Sequence, residues 1–267
     1  VRRQGLFGTI EVRDSDGSRE LLINDQRQGG SYLFPDASSV SDRSGPGPVS
    51  SSPYHYGWLI AGVMNPTGSG LMTGLGSGAG AVQLLANFSG VDLTVVEIDP
   101  NVVQLALKAY PLIGHYINLG QLNIVIDDAG SYLSRRYDKW DFGLVDTYDG
   151  ADALIDKSLP KVADRCEHLY INAIDRFNGP SISKITAIMA VLEKPIVEVF
   201  KITTPEAVAF YEDRSNWILT TEEPDWVKLS KFEPFRDIDH QNADRARFMW
   251  DYLLSSSISE VNPLLQN

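Results

Sequence analysis

The chain is poor in cysteine and in positive charge, and it lacks any long apolar run. Its one cysteine among 267 residues, Cys166, cannot close an internal disulfide and has no Cys/His spacing of a zinc site around it. A reducing cytoplasm is therefore the expected compartment, and no metal is expected. Lys and Arg total 23 against 35 Asp and Glu, a formal charge of −12. That sign is wrong for a sequence-independent grip on nucleic-acid phosphates or anionic lipid. The longest apolar stretches, such as Ile188 to Leu192, fall far short of the roughly 20 residues that cross a bilayer. Val1-Arg2-Arg3-Gln4-Gly5 leads into strand-like sequence with no apolar h-region, so a secretory signal is either absent or already removed. No Gly-Lys-Ser/Thr follows a glycine loop, and no Gly-x-Ser-x-Gly elbow occurs, which excludes a P-loop and argues against an α/β-hydrolase.

The 43% of hydrophobic residues is enough for one large core, or a core with a small appendage. Two β-prone runs, Gly8 to Asp14 and Arg19 to Asn24, flank Asp16-Gly17 and predict a hairpin. From Gly29 to Pro53 the chain is crowded with Ser, Gly, Pro and Asp, including Ser44-Gly-Pro-Gly-Pro48, which predicts either a mobile lid or plain disorder.

Beyond it, helical and apolar strand segments alternate. Helices are predicted at Tyr54 to Met64, Ala79 to Phe88, Asn101 to Tyr110, near Ser131, at Leu159 to Asp164 and at Ser181 to Leu192. Strands are predicted at Gly70 to Thr73, Asp92 to Ile98, Leu122 to Ile126, Trp140 to Val145, His168 to Asn172 and Ile196 to Phe200. Asn216 to Thr221 is expected as an edge strand, and Ala243 to Leu254 as a helix with Trp250 on its apolar side. Such alternation implies right-handed βαβ crossovers. The expected fold class is α/β, a Rossmann-like doubly wound, mostly parallel sheet after a small N-terminal β-hairpin element. Residues 1–53 form the hairpin and lid, and residues 54–267 the catalytic domain.

The sharpest motif is Gly74-Leu-Gly76-Ser77-Gly78-Ala-Gly80, where a strand hands over to a helix. Glycines there permit positive φ and close approach of a ligand, and the helix start offers unpaired N–H groups. Glu97, 21 residues after Gly76 and followed by Ile98, ends the next strand, where a carboxylate can accept from two ribose hydroxyls. Asp127-Asp128-Ala129 ends the third strand. Either acid can meet an adenine amino group, or it caps the following short helix. The fourth strand ends in Asp146-Thr-Tyr148-Asp149, two acids suited to hold a cationic amine or take its proton.

In this order the motifs resemble the spermidine synthase, or polyamine aminopropyltransferase, family within the class I AdoMet-dependent methyltransferase-like fold, from about Thr9 to about Phe200. The resemblance implies a nucleoside-contacting Gln28, a Tyr54-His55-Tyr56 version of the family's Tyr-Gln/His-Glu motif, and Asp146 and Asp149 as its Asp-x-x-Asp. It also implies a homodimer, since members often associate through the N-terminal hairpin. The departures are Ser77 for the donor-side Asp of the glycine loop, Tyr56 for Glu and Gly150 for Pro. The paired polyamine-site tyrosines have no counterpart, and Phe235-Arg-Asp-Ile-Asp-His240 occurs near the C-terminus instead.

Ser77 in place of Asp removes repulsion toward a carboxylate and favours intact S-adenosyl-L-methionine as co-substrate. The leading expectation is thus a methyltransferase acting on a small aromatic or amine-bearing metabolite. Tyr54, His55, Asp146 and Asp149 are its catalytic candidates, and Tyr56, Trp58 and Tyr148 line the acceptor, with core packing the alternative for Trp58. Three other readings stay open: aminopropyl transfer from decarboxylated AdoMet, a non-catalytic nucleoside-binding protein, and an NAD-dependent oxidoreductase.

Overall fold

A computed structural model describes residues 1–15, 17–33, 50–52, 55, 57–147, 158–175, 188, 192, 196, 198–202 and 215–229. The N-terminal segment is a four-stranded antiparallel meander: β1 (Arg2–Gly5), β2 (Gly8–Ser15), β3 (Ser18–Ile23) and β4 (Gln26–Tyr32). The expected hairpin is β2–β3, with Ser15 opposite Ser18. A second two-residue turn joins β3 to β4, with Asn24 and Asp25 both at positive φ, 50° and 63°. Asn tolerates that conformation, and here its amide also accepts from Thr9 N at 3.0 Å and donates to Phe7 O at 2.9 Å. Strand β4 takes in Gly29 to Tyr32, which the sequence assigned to the lid. The expected lid's residues 34–49, and Pro53, lie outside the described residues.

The second sheet has seven strands in the order β10-β11-β9-β8-β5-β6-β7. Its members are β5 (Ser69–Thr73), β6 (Asp92–Glu97), β7 (Leu122–Ile126), β8 (Trp140–Val145), β9 (Cys166–Asp175), β10 (Glu198–Ile202) and β11 (Ser215–Thr220). Strands β5 to β9 pair in parallel, as the alternation predicts, and β11 runs antiparallel to both β9 and β10. The expectation of an edge strand near 216–221 is corrected: β11 lies inside the sheet, between β9 and β10.

Among the described residues the helices are α1 (Trp58–Met64), α2 (Ala79–Asn87), α3 (Pro100–Ala109), α4 (Pro111–Asn118), α5 (Ala129–Ser134) and α6 (Leu159–Arg165), with one further turn at Trp226–Leu229. Helix α4 was absent from the sequence reading, which stopped at Tyr110. Pro111 does not end a helix but opens one at its first turn, where its missing N–H costs nothing. The expected helices near 181–192 and 243–254 fall almost wholly outside the described residues.

Two apolar layers enclose the sheet. On one face, Ile10, Leu21 and Ile23 of the meander pack with Trp58, Ile60, Leu84 and Val95. On the other, Leu71, Val96, Val145 and Ile171 meet Leu133 of α5 and Leu159 and Val162 of α6. Each such fully buried aliphatic side chain contributes about 1.5–3 kcal/mol of transfer free energy. The chain runs from β5 outward to β6 and β7, then returns to β8 on the other side of β5. That reversal opens a crevice outside the carboxyl ends of β5 and β8, where ligands of such sheets bind.

Candidate functional site

The glycine loop leaves β5 with Gly74, Gly76 and Gly78 all at positive φ, 86°, 52° and 74°. Their lack of Cβ is required by neighbours as well. A Cβ on Gly74 would lie 2.4 Å from the Asp146 carbonyl oxygen, and one on Gly76 2.4 Å from that of Gln28. The loop is thus wedged between the end of β8 and the meander, and Ser77 N donates to Gln28 O at 3.3 Å. Gln28, expected to touch a nucleoside, meets the loop through its backbone carbonyl.

Glu97 ends β6 with its carboxylate turned toward this loop. Oε2 accepts from Leu75 N at 2.8 Å and Oε1 from Asp99 N at 2.9 Å, with 7% of the residue exposed. Burial pushes its carboxyl above the usual range, against the pull of those backbone N–H groups. The sequence assigns Glu97 to a ribose, whereas here it also braces the loop. A carboxylate has about four acceptor positions, so the two roles are compatible.

Beside it, Ile98 is 38% exposed and Ile126, opposite Glu97 in register, is 52% exposed. Both are exposed isoleucines at the ends of β6 and β7. Asp127 is ion-paired with Arg135. Asp128 caps α5, accepting from Ser131 N at 2.8 Å, so the capping alternative holds for it. Ala129 is buried at the start of that helix.

Asp146 ends β8. Its N–H donates to Thr73 O at 3.1 Å, and its Oδ1 accepts from Asn172 Nδ2 at 2.8 Å. The structure therefore brings Gly74, Glu97 and Asp146 to one crevice.

Three of the candidate residues are buried. Ser77 is 1% exposed, and its Oγ accepts from Ala79 N at 3.3 Å beneath Gly29, rather than facing the crevice. His55 is buried, with Nδ1 2.6 Å from Ser50 Oγ, and burial pushes its imidazole down to about 3, too weak a base for general-base work near neutrality. Trp58 is fully buried in the core, which fits the core-packing alternative, and among the described residues its indole N–H has no partner. Tyr54, Tyr56, Tyr148 and Asp149 lie outside the described residues. Among the described residues no cluster of His, Cys, Asp and Glu is suited to a metal ion, and no helix is long and apolar enough to cross a membrane.

No profile of a known protein family matches the chain. Over 97 residues it is 30% identical to a polyamine aminopropyltransferase from Thermoplasma volcanium, a stretch covering 36% of this chain and about a third (33%) of that protein. Among solved structures it is similar to spermidine synthase from Thermotoga maritima, with a TM-score of 0.63 at 13% identity, covering 92% of this chain and 82% of that one. A spermidine synthase in complex with the transition-state analogue AdoDATO gives the same TM-score, 0.63, and coverage, 92% and 82%, at 14% identity. The chain thus has the class I methyltransferase-like fold of the spermidine synthases, and it resembles that family in sequence as well.

Proposed function

We propose that this protein is a transferase acting on an S-adenosyl sulfonium donor, and that it moves the aminopropyl group of decarboxylated AdoMet to a small amine. The observation that carries this reading is the placement of Ser77. The case for methyl transfer from intact AdoMet rested on Ser77 facing the donor tail in place of an acid. With Ser77 turned beneath Gly29, its identity gives a donor carboxylate no relief. Asp146, directly after β8 and beside the glycine loop, in a chain of net charge −12, supports a preference for cations on both the donor and the acceptor side. The likeness to a polyamine aminopropyltransferase and to spermidine synthases points the same way.

In this mechanism the glycine loop and Glu97 seat the nucleoside, with the adenine against Ile98 and Ile126. Asp146 holds the acceptor ammonium and takes its proton. The freed amine nitrogen attacks the aminopropyl carbon in line with the sulfonium, the C–N bond forms as the C–S bond breaks, and sulfur leaves as neutral methylthioadenosine. The sulfonium supplies the leaving group, so the protein's task is alignment and exclusion of water.

The test is incubation with AdoMet or decarboxylated AdoMet and a panel of diamines and aromatic amines, with chromatography of the nucleoside product. Methylthioadenosine formed from the decarboxylated donor is the expected result. S-adenosylhomocysteine in its place would establish methyl transfer, and tight donor binding without either product would establish a binding protein.

A further inference from the structure

Asn172 was singled out by neither the sequence motifs nor the likeness to known proteins. It lies on β9, next to β8 in the sheet, with 1% of its surface exposed. A buried amide on a strand must find partners, and Nδ2 of Asn172 donates to Oδ1 of Asp146 at 2.8 Å. Tyr170, on the same side of β9, is part of the apolar layer, and Ile171 and Ala173 on either side of Asn172 belong to the opposite layer. The amide is therefore a polar substitution at a core position, made where the strand reaches the crevice.

Backbone contacts fix the main chain of Asp146: its N–H is held by Thr73 O, and its carbonyl leaves no room for a side chain on Gly74. Those contacts do not set the plane of the carboxylate. We infer that Asn172 is a positioning residue that orients the Asp146 carboxylate toward the acceptor amine and stabilises its ionised form. The inference rests on the reading of Asp146 given above. Among the described residues, the Thr73 carbonyl, Gly74 and the Asn172 amide lie against Asp146. A donor on the carboxylate favours the charged form and lowers its pKa.

The test uses Asn172→Leu, which removes the donor at similar volume, and Asn172→Asp, which sets a second carboxylate against the first. For Asn172→Leu we expect kcat to fall about 10- to 100-fold, as a misoriented reacting group does, with the donor dissociation constant by calorimetry changed less than about 3-fold. For Asn172→Asp the acid limb of the rate profile moves up by about one pH unit or more, because two adjacent carboxylates resist joint ionisation. Carbon-13 NMR titration of the Asp146 carboxyl supplies a readout independent of turnover. Its pKa should rise in Asn172→Leu by about half a unit or more. If the wild-type chain makes no methylthioadenosine while this rise is seen, the reaction reading fails and the positioning stands. An unmoved Asp146 pKa, or turnover of Asn172→Leu within about 3-fold of wild type, overturns the positioning role.

Discussion

The Nδ1 atom of His55 lies 2.6 Å from the hydroxyl of Ser50, and both residues are buried. Ser50 N also donates to Gln83 Oε1 at 3.0 Å, so this pair ties the segment before α1 to α2, the helix that the glycine loop opens. His55 abuts the same loop, since a Cβ on Gly80 would come within 2.9 Å of its ring. The imidazole is thus a neutral structural element packed against the glycine-rich segment.

That neutrality makes the fold acid-sensitive. Burial holds the His55 pKa at about 3, whereas an unfolded chain binds its proton near pH 6.5. Below 6.5 the unfolded state takes up a proton that the native state refuses. The contribution of His55 is therefore complete above pH 6.5 and is lost as pH falls toward 3, by about 1.4 kcal/mol per pH unit. Urea unfolding of the wild type and His55→Gln between pH 7.5 and 4.5 checks this. The variant, with nothing to titrate there, should lose stability more gently, and parallel curves would refute the account.

Gly74 and Gly114 make a matched pair. Gly74 has φ +86° and no room beside the Asp146 carbonyl, whereas Gly114, inside α4, has nothing within 4 Å of where a Cβ would stand. Gly74→Ala should cost about 2 kcal/mol or more and weaken nucleoside binding, because backbone rather than a flexible side chain must move. Gly114→Ala should stabilise by about 0.5–1 kcal/mol through helix propensity and leave binding unchanged. Thermal unfolding with a nucleoside titration of each variant decides it, and equal effects at the two sites would contradict the structure.

Trp58 separates a core role from an acceptor role. Its ring is fully buried and its indole N–H lacks a partner among the described residues, so Trp58→Phe removes that donor along with some packing volume. The two terms oppose, and the net change in stability should stay within about 2 kcal/mol. The KM for the acceptor should not move. A KM raised about tenfold in a variant of unchanged fold would return Trp58 to the acceptor pocket.

Strands β7 and β8 coincide with their sequence limits because each is a short apolar run bounded by polar turn residues, a signal carried within the segment itself. The meeting of Gly74, Glu97 and Asp146 was legible for a related reason: each stands at or directly after the carboxyl end of a parallel strand of one sheet. The place of β11 was not legible, since nothing within Ser215–Thr220 records that β10 pairs outside it. Nor was the facing of Ser77, His55 and Trp58. That depends on the meander lying over the glycine loop, and the Gly29-Gly30 pair that admits the contact has the composition of a loop. Pro111 misled because the same missing N–H that stops a helix is harmless in its first turn.

Asp146 carries the last prediction. Asn at this position keeps an acceptor oxygen for the Asn172 amide, so Asp146→Asn should preserve the 2.8 Å contact and the loop packing while removing the charge and the basicity. Turnover should therefore fall about 100-fold or more, the typical scale for loss of a positioned base. Donor affinity should change less than about 3-fold, because the proposed nucleoside contacts lie on Glu97, Ile98 and the glycine loop. Steady-state kinetics with calorimetry of the donor separates the two quantities. Unchanged turnover would remove Asp146 from the chemistry. A parallel collapse of turnover and donor affinity would make it part of the donor seat instead, because only a group that acts on the acceptor alone can divide the two.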